Sequence, residues 1–253
     1  KLFAINSTNI IFRNPKSNYK HILRKLFQKL DSEGIELIEE LIKIEKKQYH
    51  STNTSISLIT RALYKSPPTE ETCMLLKNSM FSSFAENLYL INKDLDNEEL
   101  RVNNIDAYSY LLLKKADLLS RSPDARCEML LHLTSYHTQN QYYSEAINSQ
   151  ITAAALVAEY LYHLGRLTEK FKDPIQKFSV PCPSCVSEIC PDEVINQIPV
   201  IRGFCTSKYF NEYGLIYLIT NAQDSCKRAN LFELSAKLHS LLLPIAESRQ
   251  LWQ

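Results

Sequence analysis

The residues of this chain best suited by type to do chemistry are the cysteines between positions 182 and 205. They are Cys182-Pro183-Ser184-Cys185, then Cys190 and Cys205. Two thiolates separated by two residues can reach one tetrahedral centre, and four close a structural zinc site. Cys182, Cys185, Cys190 and Cys205 are therefore the candidate metal ligands. The spacing of the second pair is irregular, and no compact knuckle of turns is predicted around it. Redox dithiols typically open a helix directly after a strand, which this segment does not do, so unpaired loop cysteines are the simplest assignment. The histidines (His21, His50, His132, His137, His163 and His239) stand singly, most of them in predicted helices, and His132 and His137 fall on different helical faces. No Gly-x-Ser-x-Gly, phosphate loop or His-Glu-x-x-His occurs. No catalytic residue and no cofactor are expected.

The elements that would position these groups follow from apolar periodicity. Residues 127–137 and 141–161 carry apolar positions every three or four residues on either side of a short polar break, the pattern of two helices joined by a tight turn. Leu130, Leu133 and Tyr136 mark the first helix. The second carries Ala146, Ala153, Ala154, Ala155 and Ala158, so its neighbours can approach closely. Upstream, residues 18–30 predict a helix with Ile22, Leu23, Leu26, Phe27 and Leu30 on one face. Further helices are predicted from Ile35, over 53–64, and from Thr69 through Met74, Leu75, Phe81, Phe84 and Leu88. Thr69 can cap the last of these, with Glu70 and Glu71 at the positive end of its dipole. Residues 92–104 are polar and predict a linker.

A helix over 106–120 follows, then Ser122 as N-cap and Pro123 at the first helical position. Residues 166–207 lose the period and contain Pro174, Pro181, Pro183, Pro191 and Pro199, predicting one long loop. Helices resume over 209–228 and again from Asn230, where Asn230 and Glu233 resemble a capping box. Pro244 predicts a kink in the last helix. No strand alternation is found, and the chain has only four glycines. The predicted fold class is all-α, an antiparallel helical array with pairs like those of tetratricopeptide or armadillo repeats. One long loop containing proline and cysteine interrupts it. The chain divides into residues 1–100 and 101–253.

Composition narrows the function classes. The 253 residues are 45% hydrophobic and 23% charged, a globular balance. A net charge of +1 gives no field suited to nucleic acid or an anionic membrane. A basic opening (Lys16, Lys20, Arg24, Lys25, Lys29) precedes an acidic stretch (Glu33, Glu36, Glu39, Glu40, Glu45), which predicts two helices with paired charged faces. No apolar run is long enough to span a bilayer, and no signal-peptide pattern opens the chain. Seven cysteines, an odd number, suggest a reducing, cytoplasmic setting. The first residue is Lys1, and Gln253 falls inside an apparent helix, so a piece of a longer polypeptide is expected. The high tyrosine count, fourteen, suits amphipathic packing at helix interfaces and partner surfaces.

Several segments together resemble a known family. Ala153–Leu161 is similar to the lobe A signature of the dedicator of cytokinesis guanine nucleotide exchange factors. Ser122-Pro123-Asp124-Ala125-Arg126 resembles that family's Ser-Pro-Asp-Leu-Arg segment. Cys205–Leu215, with Lys208-Tyr209-Phe210 and Gly214-Leu215, resembles a downstream segment, and Leu231–Ala246 resembles the helix that ends in Leu-Ile-Pro-Ile. The resemblance covers roughly 105–253, is nearest to the Zizimin and Zizimin-related branches, and places the proline-rich loop where the family carries a variable insert. It implies that 101–253 is lobe A of the DOCK homology region 2, and that 1–100 belongs to the helical-repeat region preceding it.

The resemblance further implies a parent that promotes GDP release from a Rho-family small GTPase through lobes B and C. No residue here matches the nucleotide-sensing valine of lobe C, so this chain alone is expected to be inactive. It also implies homodimerisation through lobe A. The predicted apolar faces for that contact are Tyr209, Phe210, Tyr213, Ile216 and Tyr217, with Leu231, Leu234 and Leu238 on the last helix. Ordinary core packing competes for the same residues. The competing function is an unrelated tetratricopeptide-like adaptor that binds a peptide in a concave groove.

Overall fold

The computed structural model describes residues 60–77, 82–167, 171–189, 205 and 207–248. The helices predicted over 18–30 and from Ile35 lie outside the described residues, as does Cys190. Among the described residues every regular element is a helix and none is a strand, so the fold is all-α. No helix among them is long and apolar enough to cross a membrane. The chain forms two compact units, Lys1–Leu111 and Leu112–Gln253.

In the first unit residues 60–65 are helical, with Ala62 and Leu63 buried. Helix α1 (Glu70–Leu76) starts as predicted: the Thr72 N–H donates to Thr69 Oγ1 at 3.3 Å, and Glu70 and Glu71 occupy the first turn. Helix α2 (Ser82–Leu95) packs on α1 and buries Ala85, Leu88 and Ile91, three residues apart and thus on one face. The stretch 92–104, predicted as a linker, is instead mostly helical: it holds the end of α2 and all of α3 (Glu98–Asn103). Its asparagines cap helices where they were expected to interrupt them. Asn97 Oδ1 accepts from the Leu100 N–H at 3.2 Å, and Asn104 Oδ1 accepts from the Ala107 N–H at 3.0 Å. Asn104 thereby opens α4 (Ile105–Leu118).

The second unit is built around one helix. A 3₁₀ turn, Leu119–Arg121, leads into α5 (Pro123–Gln139), with Ser122 and Pro123 at the predicted N-cap and first helical positions. Helix α6 (Tyr143–His163) packs on α5, on α7 (Pro174–Ser179) and on α8 (Glu212–Arg228). Helix α9 (Phe232–Ser248) packs on α8. Neighbours on several sides explain why α6 buries every residue from Ala153 to Leu161. The alanines in that run let the other helices come close. Ile147, Ile151 and Leu161 are almost wholly buried, each contributing about 1.5–3 kcal/mol.

Helices α5, α6 and α8 end alike. After α5, Gln141 takes φ 65°, its N–H donates to Thr138 O and the Tyr142 N–H donates to His137 O. After α6, Gly165 takes φ 67° with the same pair of bonds, to Tyr162 O and from Arg166 to Leu161 O. After α8, Asn230 takes φ 58°, bonding Lys227 O, while Leu231 bonds Cys226 O. These are Schellman turns, and they fold α6 back on α5 and α9 back on α8 with only three intervening residues each. Asn230 therefore does not cap α9 as the sequence suggested. Asparagine suits both an N-cap and a left-handed C-terminal position, and here it terminates α8.

The loop 166–207 also differs from expectation in one respect. Pro174 does not break a helix but opens α7 at its first position, with Asp173 Oδ1 accepting from the Gln176 N–H at 3.1 Å. Phe171 and Phe178, ring centroids 6.2 Å apart, are buried. Pro244 lies within α9, where its missing N–H leaves the Ser240 carbonyl without a helical donor, yet the helix continues to Ser248.

Candidate functional site

The polar groups of the second unit converge where the long loop meets α5 and α6. Glu159 is only 3% exposed and lies in the apolar run of α6. Its Oε2 accepts from the backbone N–H groups of Glu188 at 3.0 Å and Ile189 at 3.2 Å, and its Oε1 accepts from the Ser187 hydroxyl. Each of those donors comes from the loop. Arg126, in the first turns of α5, donates to Asp117 Oδ1 at 2.9 Å and to Glu188 Oε1 at 2.7 Å. Burial opposes the Arg126 charge, but Glu188 and Asp117 outweigh it and hold the guanidinium above its usual range. Burial raises the Glu188 carboxyl, with Arg126 pulling it back down. His163, one turn beyond Glu159, is lowered by burial against the opposing pull of that carboxylate, 4.0 Å away.

The far end of the loop is held by the same two helices. Asp124 Oδ1 accepts from the Ser207 N–H at 3.3 Å. Tyr160 Oη accepts from the Cys205 N–H at 3.0 Å, and burial raises the phenol's pKa. The Tyr160 ring meets Phe210 edge-on, 5.1 Å between centroids. Arg166, just past the α6 turn, grips Glu212, the first residue of α8, with Nε and Nη2 on its two carboxylate oxygens. Asn211 caps α8 through the Gly214 N–H at 2.9 Å. Gly214 must lack a side chain: a Cβ there would stand 2.3 Å from Tyr209 O and 2.5 Å from Tyr209 Cα. The arrangement is a clamp. It fixes both approaches to residues 190–204 against α5 and α6.

Sequence reasoning missed Glu159, Arg126, Glu188, Asp124 and Glu212 as site residues. One signal was present: Glu159 is the only charge between Ile151 and Leu161, and a charge in so apolar a run must be paired if it is buried.

The predicted surface residues divide. Phe210 (5% exposed) and Leu238 (0%) are core. Tyr209, Ile216 and Leu234 are half-buried, and Tyr213 (68%), Tyr217 (53%) and Leu231 (37%) are exposed. The Tyr209 and Tyr217 rings stack with centroids 6.1 Å apart, and Lys208 Nζ stands 5.1 Å above the Tyr209 ring. Of the predicted metal ligands, Cys182 and Cys185 lie together in the turn after α7, while Cys205 sits at Tyr160. Among the described residues no group of three or more metal-ligating side chains could hold a metal ion.

Residues 111–253 match the family described as DHR-2, Lobe A. The Homo sapiens dedicator of cytokinesis protein 8 is 30% identical over 143 residues, 55% of this chain and 7% of that protein. The Mus musculus dedicator of cytokinesis protein 7 is 29% identical over 173 residues, 65% of this chain and 8% of that protein. The Mus musculus dedicator of cytokinesis protein 9 is 30% identical over 129 residues, 51% of this chain and 6% of that protein. This chain thus spans less than a tenth of the length of these relatives. No solved structure matches it. The matched stretch includes all residues of the clamp, and on that match the chain belongs to the dedicator of cytokinesis family through its DHR-2 lobe A.

Proposed function

We propose that this chain is the non-catalytic scaffold and dimerisation lobe of a guanine nucleotide exchange factor for Rho-family small GTPases, working in the cytoplasm. Residues 1–100 belong to a helical-repeat region that precedes the lobe. The observation that carries this proposal is the family match over 111–253. The clamp supports it: the family-like segments Ser122–Arg126, Ala153–Leu161 and Cys205–Leu215 are used to hold a loop and pack helices, which is a supporting role. An exchange factor makes and breaks no covalent bond. It binds the nucleotide-free GTPase more tightly than the loaded form and so favours GDP release. That differential affinity falls to lobes B and C, while lobe A contributes a rigid mount and a contact to a second copy.

The exposed residues Tyr213, Tyr217 and Leu231 offer aromatic and aliphatic surface of the kind enriched at interfaces. Two measurements test the proposal together. The full-length protein should accelerate GDP release from a Rho-family GTPase, and this chain alone should not. Light scattering should give a dimeric mass that falls to the monomer in Tyr217→Glu, an exposed change that leaves the core intact. Release stimulated by this chain by itself would contradict the assignment, and a dimer unaffected by Tyr217→Glu would remove that face from the contact.

A further inference from the structure

Cys182 and Cys185 are not used by the clamp, and their chemistry is independent of the exchange-factor proposal. The Cys185 N–H donates to Cys182 O at 3.0 Å, which closes a β-turn over Pro183 and Ser184. Such a turn brings its first and last Cα atoms within about 7 Å, inside the reach of a disulfide. Both side chains are buried (1% and 5% exposed). Pro183 and Ser184 at the tip are exposed. Around Cys182 Sγ stand the Ser184 hydroxyl at 3.1 Å and, from α6, Asn148 Oδ1 at 3.9 Å. Both cysteines are free thiols.

We propose that Cys182 and Cys185 form an oxidisable dithiol that closes to a disulfide within its turn on meeting a low-molecular-weight disulfide. The Cys182 thiolate attacks one sulfur of the oxidant, whose S–S bond breaks, and one small thiolate leaves and takes up a proton. Cys185 then attacks Cys182 Sγ in the mixed disulfide. The protein S–S bond forms, the second small thiolate departs, and the proton from Cys185 ends on it. The protein loses two hydrogens and one small disulfide becomes two thiols.

The order of attack has a physical basis. The neighbouring Cys185 and Ser184 groups outweigh burial and lower Cys182, while its partner Cys185 is raised. Burial pushes Cys226 up to about 11 and raises Cys127 further. The lowered Cys182 is ionised in a larger fraction at neutral pH than Cys226 or Cys127, and the lower nucleophilicity of a more acidic thiol takes back only part of that difference. Cys182 should therefore react faster than Cys226. Local opening of a single turn with an exposed tip admits the oxidant.

The test treats the full-length protein with oxidised glutathione and follows each cysteine by differential alkylation and mass spectrometry. The expected product is a Cys182–Cys185 disulfide that retains no glutathione. Cys185→Ser should trap glutathione on Cys182, and Cys182→Ser should leave residue 185 unmodified; circular dichroism checks that both variants fold. Three results would overturn the proposal: Cys182 reacting no faster than Cys226, a stable glutathione adduct on wild-type Cys182, or reduced protein carrying stoichiometric zinc on this pair.

Discussion

Replacing Glu159 separates the work done by its hydrogen bonds from that done by its charge. In Glu159→Ala the N–H groups of Glu188 and Ile189 and the Ser187 hydroxyl lose their acceptor together. Ile189 is 4% exposed, so its N–H has little access to water, and leaving it unsatisfied costs about 1–3 kcal/mol. The Glu188 N–H is only partly buried and adds less, because water can reach it. The sum is about 2–4 kcal/mol, which at about 3 °C per kcal/mol for a unit of this size lowers Tm by roughly 6–12 °C. Glu159→Gln behaves differently. Its amide oxygen can take both backbone N–H groups while its NH₂ donates to the Ser187 oxygen, so every bond keeps a partner and only the charge is lost. Charge-assisted bonds exceed neutral ones by about 1 kcal/mol. Relief of the repulsion that Glu159 exerts on Glu188 offsets part of that. Thermal unfolding and hydrogen exchange at the amides of 188 and 189 are the assays. Alanine should abolish protection there and glutamine should retain most of it. Unchanged protection in Glu159→Ala would refute the clamp, and equal damage from both variants would show that charge, not bonding, does the holding.

Three further outcomes are expected. Gly214→Ala places a methyl 2.3 Å from Tyr209 O, so backbone must move, and destabilisation of about 1–3 kcal/mol by chemical denaturation should exceed the usual gain from alanine in a helix. Gln141→Gly relieves a left-handed backbone at φ 65° and should raise stability by about 0.5–1 kcal/mol, measured the same way. Burial lowers His163, so the folded chain takes up that proton less readily than the unfolded one; stability should fall as pH drops below about 6.5, and His163→Gln should flatten that part of the Tm–pH curve.

The parts of this fold set by local chemistry are readable in sequence, and the parts set by distant partners are not. Apolar periodicity locates α5, α6, α8 and α9, and Ser122-Pro123 marks the start of α5 because proline at the first helical position has no donor to lose. Asn230 misleads because two opposite backbone roles accept the same side chain. Pro174 reads as a breaker because sequence alone does not say whether a helix follows or precedes it. The apolar stripe around Phe210 and Leu238 is visible, but whether a partner or the chain itself covers it depends on neighbours far away in sequence. Cys182 and Cys185 read as unpaired loop cysteines and both are free thiols, but their burial is not legible locally: the Asn148 side chain that stands by Cys182 Sγ comes from α6, 34 residues upstream.

The run that carries the family resemblance is under two constraints at once. Within Ala153–Leu161 the alanines, Leu156 and Val157 are buried because helices press on α6 from several sides. Glu159 and Tyr160 are buried beside them, yet each holds a stretch of loop by its polar end. A substitution that keeps the apolar pattern but alters either polar tip would leave the helices able to pack and the loop ends free. A substitution that enlarges an alanine would do the reverse, separating helices whose polar tips are intact. The run must therefore satisfy close packing and loop attachment on adjacent positions of one helix turn.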